Sequence, residues 1–437
     1  MTGFPHLSYG LPILFLLASP LSEAETTGYP PAAVSIDSSA AGNPSEVEHT
    51  DPIEPDSILT LPQLIDLTLE KYPDRLINEA LEKEADAWDI RGDGWFAGSN
   101  AFYLDYTDDQ LTNNRGYRDG SAKLEFTPWF WGQRTAAQEI AKQAHTSALK
   151  QSAAVKLEVT RLVREALWGI SLAEIQFQQA KYTLEISGQL LEKVRRRVEL
   201  GDLARADLLL AESEHLQNRS LYNQAEAELM HSRKNYANLT QTTRIPVNFH
   251  EELSPIETIR PDHPLLEAVN AYISRKQATI EWAKTTDTIN QPKVNFGAQT
   301  IHDPVGSGNS QNAGVGIVIP FGHSTYDAPE IAAANLELNR ALSQREHLYR
   351  QLEKNLHEAE HALELTRKEI TIANELKQIA QNHLKMTEIS FASGEINLLD
   401  LLKIQARSLQ AMRNAKEQEV KLQRNIAFYN QAVGIMP

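Results

Sequence analysis

The stretch that decides the fold runs from Gly132 to Leu200 and reads GQRTAAQEIAKQAHTSALKQSAAVKLEVTRLVREALWGISLAEIQFQQAKYTLEISGQLLEKVRRRVEL. It contains no proline, and its only internal glycines are Gly169 and Gly188. Apolar residues recur at spacings of mostly three and four, which predicts one helix with one narrow buried stripe. The stripe comprises Val155, Val159, Leu162, Ala166, Ile170, Ala173, Phe177, Ala180, Leu184, Leu191, Val194 and Val198. At 1.5 Å per residue the helix would be about 100 Å long, so other long helices must pack against it.

Composition narrows the class of protein. The chain has 437 residues, 41% of them hydrophobic, and a formal net charge of -16. An acidic chain is a poor match for nucleic acid, which needs a basic surface. There is no cysteine, which excludes disulfides, thiolate metal sites and lipid attachment through an N-terminal cysteine. The body of the chain has no run of about twenty apolar residues, so no transmembrane helix is expected there.

The N-terminal residues have the pattern of an export signal. Leu11 to Ala18 form an apolar block, and Ser22-Glu23-Ala24 fits a cleavage site. We therefore predict a signal peptide over 1–24. Residues 25–57 are rich in Pro, Ser, Ala and acids, which predicts a disordered periplasmic leader.

Two short segments have a period of two instead of 3.6. In Phe102–Thr107 and Ala122–Thr127 apolar and polar residues alternate, which predicts a strand hairpin with one apolar face. Trp129, Phe130 and Trp131 crowd its exit. The hairpin either covers a soluble core, or spans a membrane with an aromatic belt at the interface.

The second half of the chain repeats this plan at an offset of about 190 residues, which predicts a whole-domain duplication. The first repeat is 58–243, the connector 244–262 and the second repeat 263–437. The first repeat opens with a helix over Leu61–Ile90, broken at Pro73, and closes with a helix over Ala204–Leu239. The matching elements of the second are helix Leu265–Lys284, strands Val294–Ile301 and Ala313–Ile319, long helix Pro329–Ser393 and final helix Asn397–Val433.

Four strands cannot close a membrane barrel. Open edges would leave backbone groups unpaired in lipid, at a cost of several kcal/mol each. Other copies of the chain must therefore complete the wall, and three copies would supply twelve strands. The long helices would then pack as a cylinder, which makes the assembly a conduit.

Three features together resemble the TolC family of outer-membrane efflux channels. They are the order of elements, the Pro-aromatic-Gly exits at 128–132 and 320–322, and the Gly-x5-Asp-Leu-Leu turns at Gly201 and Gly394. The resemblance covers roughly Leu59 to Gly434. It implies an α+β, mostly α fold: a homotrimer with a 12-stranded outer-membrane β-barrel, four strands per protomer, and a long periplasmic α-helical barrel. It also implies a passive export duct that works with a periplasmic adaptor and an inner-membrane pump, without catalysis, cofactor or resident metal.

The resemblance also places the candidate site residues at the periplasmic tip. The turns at Gly201 and Gly394, with their neighbours Asp202 and Glu395, would dock the adaptor. Asp400 would form an acidic ring in the pore constriction, although an acid in a first helical turn is also favoured by the helix dipole alone. Two further residues are assigned to the constriction. Asp207 is the acid of the first repeat that matches Asp400, and Lys403 stands where the family carries another acid.

Two further motifs compete for a role. His357-Glu358-Ala359-Glu360-His361 matches the H-E-x-x-H zinc motif, with both histidines on one helix face. It lies in the middle of a predicted rod, where a third ligand and a cleft are hard to supply. Arg195-Arg196-Arg197 near the tip is either an adaptor patch or a solvated helix end that the dipole favours.

Two alternatives to a general efflux duct stay open. The first is a periplasmic coiled-coil scaffold or adhesin without a pore, whose strands form a soluble hairpin. The second is a metal-cation efflux branch of the same family, suggested by thirteen scattered histidines. Membrane fractionation and detergent-resistant trimers would separate a duct from a scaffold.

Overall fold

A computed structural model describes residues 53–112, 114–285, 291–306, 308–321 and 324–437. The expected signal peptide and nearly all of the expected leader lie outside these residues. Among the described residues, no helix combines the length and the hydrophobicity needed to cross a membrane. The described chain is mostly helical, as predicted. Its helices are α1 Leu61–Lys71, α2 Arg75–Asp93, α3 Gln133–Glu199, α4 Arg205–Thr240, α5 Pro264–Thr285, α6 Ser324–Ala392 and α7 Leu398–Ala432.

The two long helices are confirmed. Helix α3 has 67 residues and α6 has 69. The single narrow stripe predicted for α3 is wrong, because Val163, Arg164, Leu167 and Trp168 are buried in addition to it, whereas Leu162 is only partly buried. The reason is that α3 packs against five other helices, so several of its faces are covered.

The long helices form two tiers. In the tier next to the sheet, α2, α3, α5 and α6 pack side by side in that order. Ala137, Ile140 and Trp282 are buried where α2, α3 and α5 meet. In the tier away from the sheet the order is α4, α3, α7, α6. Helices α2, α4 and α6 therefore lie at the edges of the layer, while α3, α5 and α7 lie inside it.

A four-stranded sheet caps one end of the helices. Strands β2 Ala101–Asp108, β3 Arg118–Phe126, β5 Lys293–Asp303 and β6 Gly308–Val318 run antiparallel in the order β2-β3-β5-β6. All four strands were predicted. Among the described residues neither β2 nor β6 has a partner on its outer side, so the sheet is open at both edges.

A small parallel ribbon was not predicted. Strand β1 Glu54–Asp56 pairs with β4 Arg244–Pro246, next to the buried cluster of Leu64, Val159 and Tyr236. Strand β1 falls in the stretch expected to be a disordered leader, and β4 falls at the start of the expected connector. The end of the leader is therefore attached to the helices beside the cluster of Leu64, Val159 and Tyr236.

Candidate functional site

The two hairpin turns at the far end of the helices have the same backbone geometry. Gly201 and Gly394 both have a φ of 81°, the left-handed conformation that glycine adopts without strain. In the first turn Gly201 N–H donates to Val198 C=O and Asp202 N–H donates to Arg197 C=O. In the second turn Gly394 N–H donates to Phe391 C=O and Glu395 N–H donates to Ser390 C=O. Both are Schellman caps, which satisfy the last carbonyls of α3 and α6.

The next helix starts in a similar way after each turn. Ala204 N–H donates to the Asp207 carboxylate at 3.3 Å, and Asp207 N–H returns to Ala204 C=O at 3.0 Å. At α7 the Asn397 side chain accepts from Asp400 N–H at 2.9 Å. Both acids thus occupy the third position of a helix, where the dipole favours negative charge. The Asp207 carboxylate itself caps α4. At α7 the cap is the Asn397 side chain, so the Asp400 carboxylate is not used for capping.

One apolar cluster joins the two hairpins. It buries Leu191 and Val194 of α3 against Phe391, Leu398 and Leu401 of the other hairpin, with further residues from α4 around it. The predicted tip residues Gly201, Asp202, Gly394 and Glu395 all lie exposed beyond this cluster. The structure therefore brings both turns to the same end of the molecule.

A lysine–acid pair forms at the start of α7. Lys403 Nζ lies 3.7 Å from Asp400 Oδ1, and both side chains are at least half exposed. Arg407, one turn further along, is exposed and forms no ion pair with any described residue. Sequence reasoning missed Arg407, although its i+4 spacing from Lys403 was a readable signal.

The arginine run near the first turn divides into separate roles. Arg197 donates to Phe391 C=O at 3.3 Å, stacks over the Phe391 ring and lies 3.5 Å from Asp202, so it ties the two hairpins together. Arg195 pairs with Glu192 and Glu212. Only Arg196 is exposed without an ion pair to a described residue, so a patch of three free arginines is not present.

The sheet has one apolar and one polar face. One face carries two cross-strand rows, Phe102-Leu124-Phe296-Val315 and Leu104-Ala122-Ala298-Ala313, and its large side chains are exposed. On the other face Glu125 accepts hydrogen bonds from Lys293 at 2.9 Å and Tyr103 at 3.3 Å. At the junction with the helices, Trp131 and Phe321 are almost fully exposed. An exposed apolar face over a polar one is the reverse of a soluble hairpin and typical of a membrane-spanning strand layer.

No third ligand joins the H-E-x-x-H motif among the described residues. His357 and His361 are exposed on α6, and Glu358 lies 3.7 Å from Lys354. A different group, Asp86, Asp89 and His145, places its donor atoms within 4.8 Å of one another on α2 and α3. All three side chains are at least 43% exposed, and His145 Nε2 lies 2.6 Å from Asp89 Oδ2, a hydrogen-bonded contact at the surface.

Comparison with known proteins identifies the fold. No family model matches the chain, and no curated protein sequence matches it. Among solved structures, CusC is 16% identical with a TM-score of 0.69, covering 86% of this chain and 92% of that one. The outer membrane channel CmeC of Campylobacter jejuni is 15% identical with a TM-score of 0.68, covering 94% of each chain. The outer membrane channel MtrE of Neisseria gonorrhoeae, in its open state, is 17% identical with a TM-score of 0.66, covering 86% and 88%. The resemblance to the TolC family is thus confirmed at the level of the fold.

Proposed function

We propose that this chain is one protomer of a trimeric outer-membrane efflux channel, a passive duct that carries small molecules or ions out of the periplasm. The observation that carries the proposal is that, among the described residues, both the sheet and the helical layer of a single chain have open edges.

The sheet supplies the first half of the argument. Within the part of the chain that the structure describes, β2 and β6 have no partner at their outer sides, and lipid would not tolerate the unpaired backbone groups. Pairing β6 of one copy with β2 of the next satisfies those groups, and three copies give a closed barrel of twelve strands. The apolar rows would then face lipid, with Trp131 and Phe321 in the interfacial belt, and the Glu125–Lys293 face would line water.

The helices supply the second half. Among the described residues, the edge helices α2, α4 and α6 carry nearly all exposed large apolar side chains of the long helical layer, whereas α3, α5 and α7 together carry three. Contact between α6 of one copy and α2 and α4 of the next would bury them. The residues are Leu76, Ile77 and Ile90 on α2, Leu209, Leu216 and Leu221 on α4, and Leu336, Leu342, Leu365, Ile372, Leu376, Ile379, Met386 and Ile389 on α6.

The tip takes its role from this assembly. Three copies would bring Asp400, Lys403 and Asp207 around the narrow periplasmic end, and would present the turns at Gly201 and Gly394 to a periplasmic adaptor and, through it, an inner-membrane pump. The internal duplication, with two hairpins per copy, gives six hairpins at that end. Support for a channel without enzymatic activity comes from the solved relatives CmeC and MtrE, which are outer membrane channels.

The decisive experiment is to fractionate cells that produce the full chain, purify the protein in mild detergent, and record from planar bilayers. We expect outer-membrane recovery, a trimeric mass and stepwise ion conductance. A monomer in the soluble fraction that passes no ions would contradict the proposal and favour the scaffold or adhesin. Metal-cation export is tested with the same producing cells. Their growth in the presence of copper, zinc and silver salts is compared with the growth of cells that lack the protein.

A further inference from the structure

The exposed face at the start of α7 is basic, although the whole chain carries a net charge of -16. Over Leu398–Asn414 the sequence has one acid, Asp400, against three bases. Lys403 and Arg407 are both exposed, and they follow Asp400 up one side of the helix at positions i+3 and i+7. The third base, Arg413, is half-buried and 3.7 Å from Glu417.

The charges on this face do not cancel. Lys403 lies 3.7 Å from Asp400, a loose pair between two side chains that are at least half exposed. Arg407 has no ion pair with a described residue, so each copy keeps one unmatched positive charge there. The aligned positions of the other hairpin are Leu210 and Glu214, counted from Gly201 as these are from Gly394. The basic face therefore belongs to α7 and is not a general property of the two hairpins.

The position of α7 restricts what this face can meet. In the tier away from the sheet, α7 lies between α3 and α6, so it is not an edge helix. In the proposed trimer, a neighbouring copy would therefore not cover its exposed face. That face must look either into the duct or out toward the periplasm. Three copies looking inward would place three unmatched arginines just above the ring of Asp400–Lys403 pairs.

We propose that the periplasmic entrance of this duct prefers anions, with Lys403 and Arg407 as its selectivity residues. The inference rests on the proposed channel function and reverses the cation preference that an acidic ring alone would give. A narrow passage lined by one sign of charge concentrates ions of the other sign. Arg407 presents a planar guanidinium that binds carboxylate or phosphate oxygens in pairs, which favours small organic anions as cargo.

The test measures reversal potentials of the purified trimer in planar bilayers under a tenfold KCl gradient. The wild type is expected to pass chloride better than potassium. The double variant Lys403→Gln/Arg407→Gln should lower the chloride-to-potassium permeability ratio by roughly threefold or more, and Asp400→Asn should raise it. Lys416→Gln, about 140° around α7 from Lys403, is the matched control and should leave the ratio unchanged. Trimeric mass and thermal stability are checked for every variant.

A second arm asks whether Arg407 faces the conduction path. Because the chain has no cysteine, Arg407→Cys introduces one thiol in each copy, three in the trimer. An anionic sulfonate thiol reagent should then lower the permeability ratio further, in step with its attachment measured by mass. Complete attachment without a change in conductance or selectivity would place the face outside the duct and overturn the inference. A potassium-preferring wild type overturns the selectivity alone, whereas a trimer that conducts nothing overturns the channel function with it.

Discussion

At the scale of single residues, the most deeply buried charge described is the guanidinium of Arg164, which is 1% exposed. It donates to both Glu251 carboxylate oxygens at 2.8 and 2.6 Å, to Gln431 at 2.6 Å and to Ile435 C=O at 3.0 Å. One side chain of α3 thereby ties down the connector and the C-terminal end of α7. These contacts use four of the five guanidinium N–H groups. Loss of one member of such a buried pair leaves the other as an uncompensated buried charge.

We therefore predict that Arg164→Ala lowers the free energy of unfolding by about 3–5 kcal/mol, because Glu251 loses its counter-charge in a buried site. Thermal and urea unfolding of the detergent-purified protein measure the effect. Arg340→Ala, which breaks an exposed i,i+3 pair with Glu337, should cost no more than about 1 kcal/mol. Equal losses in the two variants would show that the buried network contributes no more to the free energy of unfolding than an exposed ion pair does.

His263 is a second residue whose environment sets a measurable property. It is 2% exposed, its Nδ1 accepts from Leu265 N–H at 3.2 Å, and burial lowers the pKa of its imidazole, partly opposed by the Ala432 carbonyl and by Asp262. The neutral form is thus favoured in the folded state, while the unfolded chain takes up a proton near the ordinary pKa of 6.5. Stability from this residue is complete above that pH and is lost as the pH falls below it.

The expected result is a steeper loss of thermal stability between pH 7 and pH 5 in the wild type than in His263→Asn. Asparagine can still accept the Leu265 amide through its side-chain oxygen but does not titrate. The control is His361→Asn, which replaces an exposed histidine and should leave the wild-type pH dependence intact. An identical pH slope in wild type and His263→Asn would remove His263 as the source.

At the scale of elements, the turns at the tip depend on two glycines for conformational reasons alone. A Cβ at Gly201 or Gly394 would meet no atom within 4 Å, so only the positive φ opposes a side chain there. We predict that Gly201→Ala and Gly394→Ala each cost about 1–2 kcal/mol, and that asparagine costs less because it tolerates the left-handed conformation. Hydrogen exchange of the last turn of α3 and α6 would report the local loss.

Gly169 provides the matched control for these turns. It lies inside α3 in helical conformation, and a Cβ there would also meet nothing within 4 Å. Gly169→Ala should therefore stabilise the protein by roughly 0.5–1 kcal/mol, the opposite sign to the turn glycines. If all three alanine variants shifted stability in the same direction, the left-handed caps would not be the cause.

The sequence predicted the long elements better than the short ones. Helices α3 and α6 carry enough residues for a 3.6-residue period to be unmistakable, and the alternation in β2, β3, β5 and β6 is also readable. Strands β1 and β4 have three residues each, too few to show any period, and they form only because the fold brings Asp56 and Pro246 together. The partners of Arg164 lie 87 and 267 residues away in the chain, so its role could not be read from local pattern.

The candidate site was predicted in part for the same reason. Gly201, Gly394 and the aligned acids Asp207 and Asp400 have a local signature of spacing, which the structure places at one end of the molecule. The work of Arg197 could not be anticipated, because it acts on Phe391 of the other hairpin. The roles of the two glycines and the two acids in a pore constriction and in adaptor docking stay predictions, since they depend on the other copies.

At the scale of the whole molecule, the described sheet and helical layer both have open edges, and in the proposed channel assembly is the step that closes them. The edge helix α6 exposes Leu365, Ile372, Leu376 and Ile379 at spacings of seven, four and three. This spacing is typical of an apolar stripe that packs against another helix. Burial of such a stripe stabilises by about 25 cal/mol per Å², enough to hold long rods together over many turns. The same stripe left in water would promote aggregation, so the free protomer is not expected to accumulate.

We predict that Ile379→Glu on α6 prevents or weakens trimer formation. Ile379 is 67% exposed in the single chain, so a glutamate there leaves the protomer's own core intact but places a charge in the seam between copies. Asn374→Glu adds the same charge to the same helix about 140° away from Ile379, and should assemble normally. Mass measurement in detergent and resistance to mild denaturing electrophoresis distinguish trimer from monomer. If Ile379→Glu formed trimers as stable as those of Asn374→Glu, α6 would not be the helix that meets the neighbouring copy, and the proposed closure of the wall would have to use a different face.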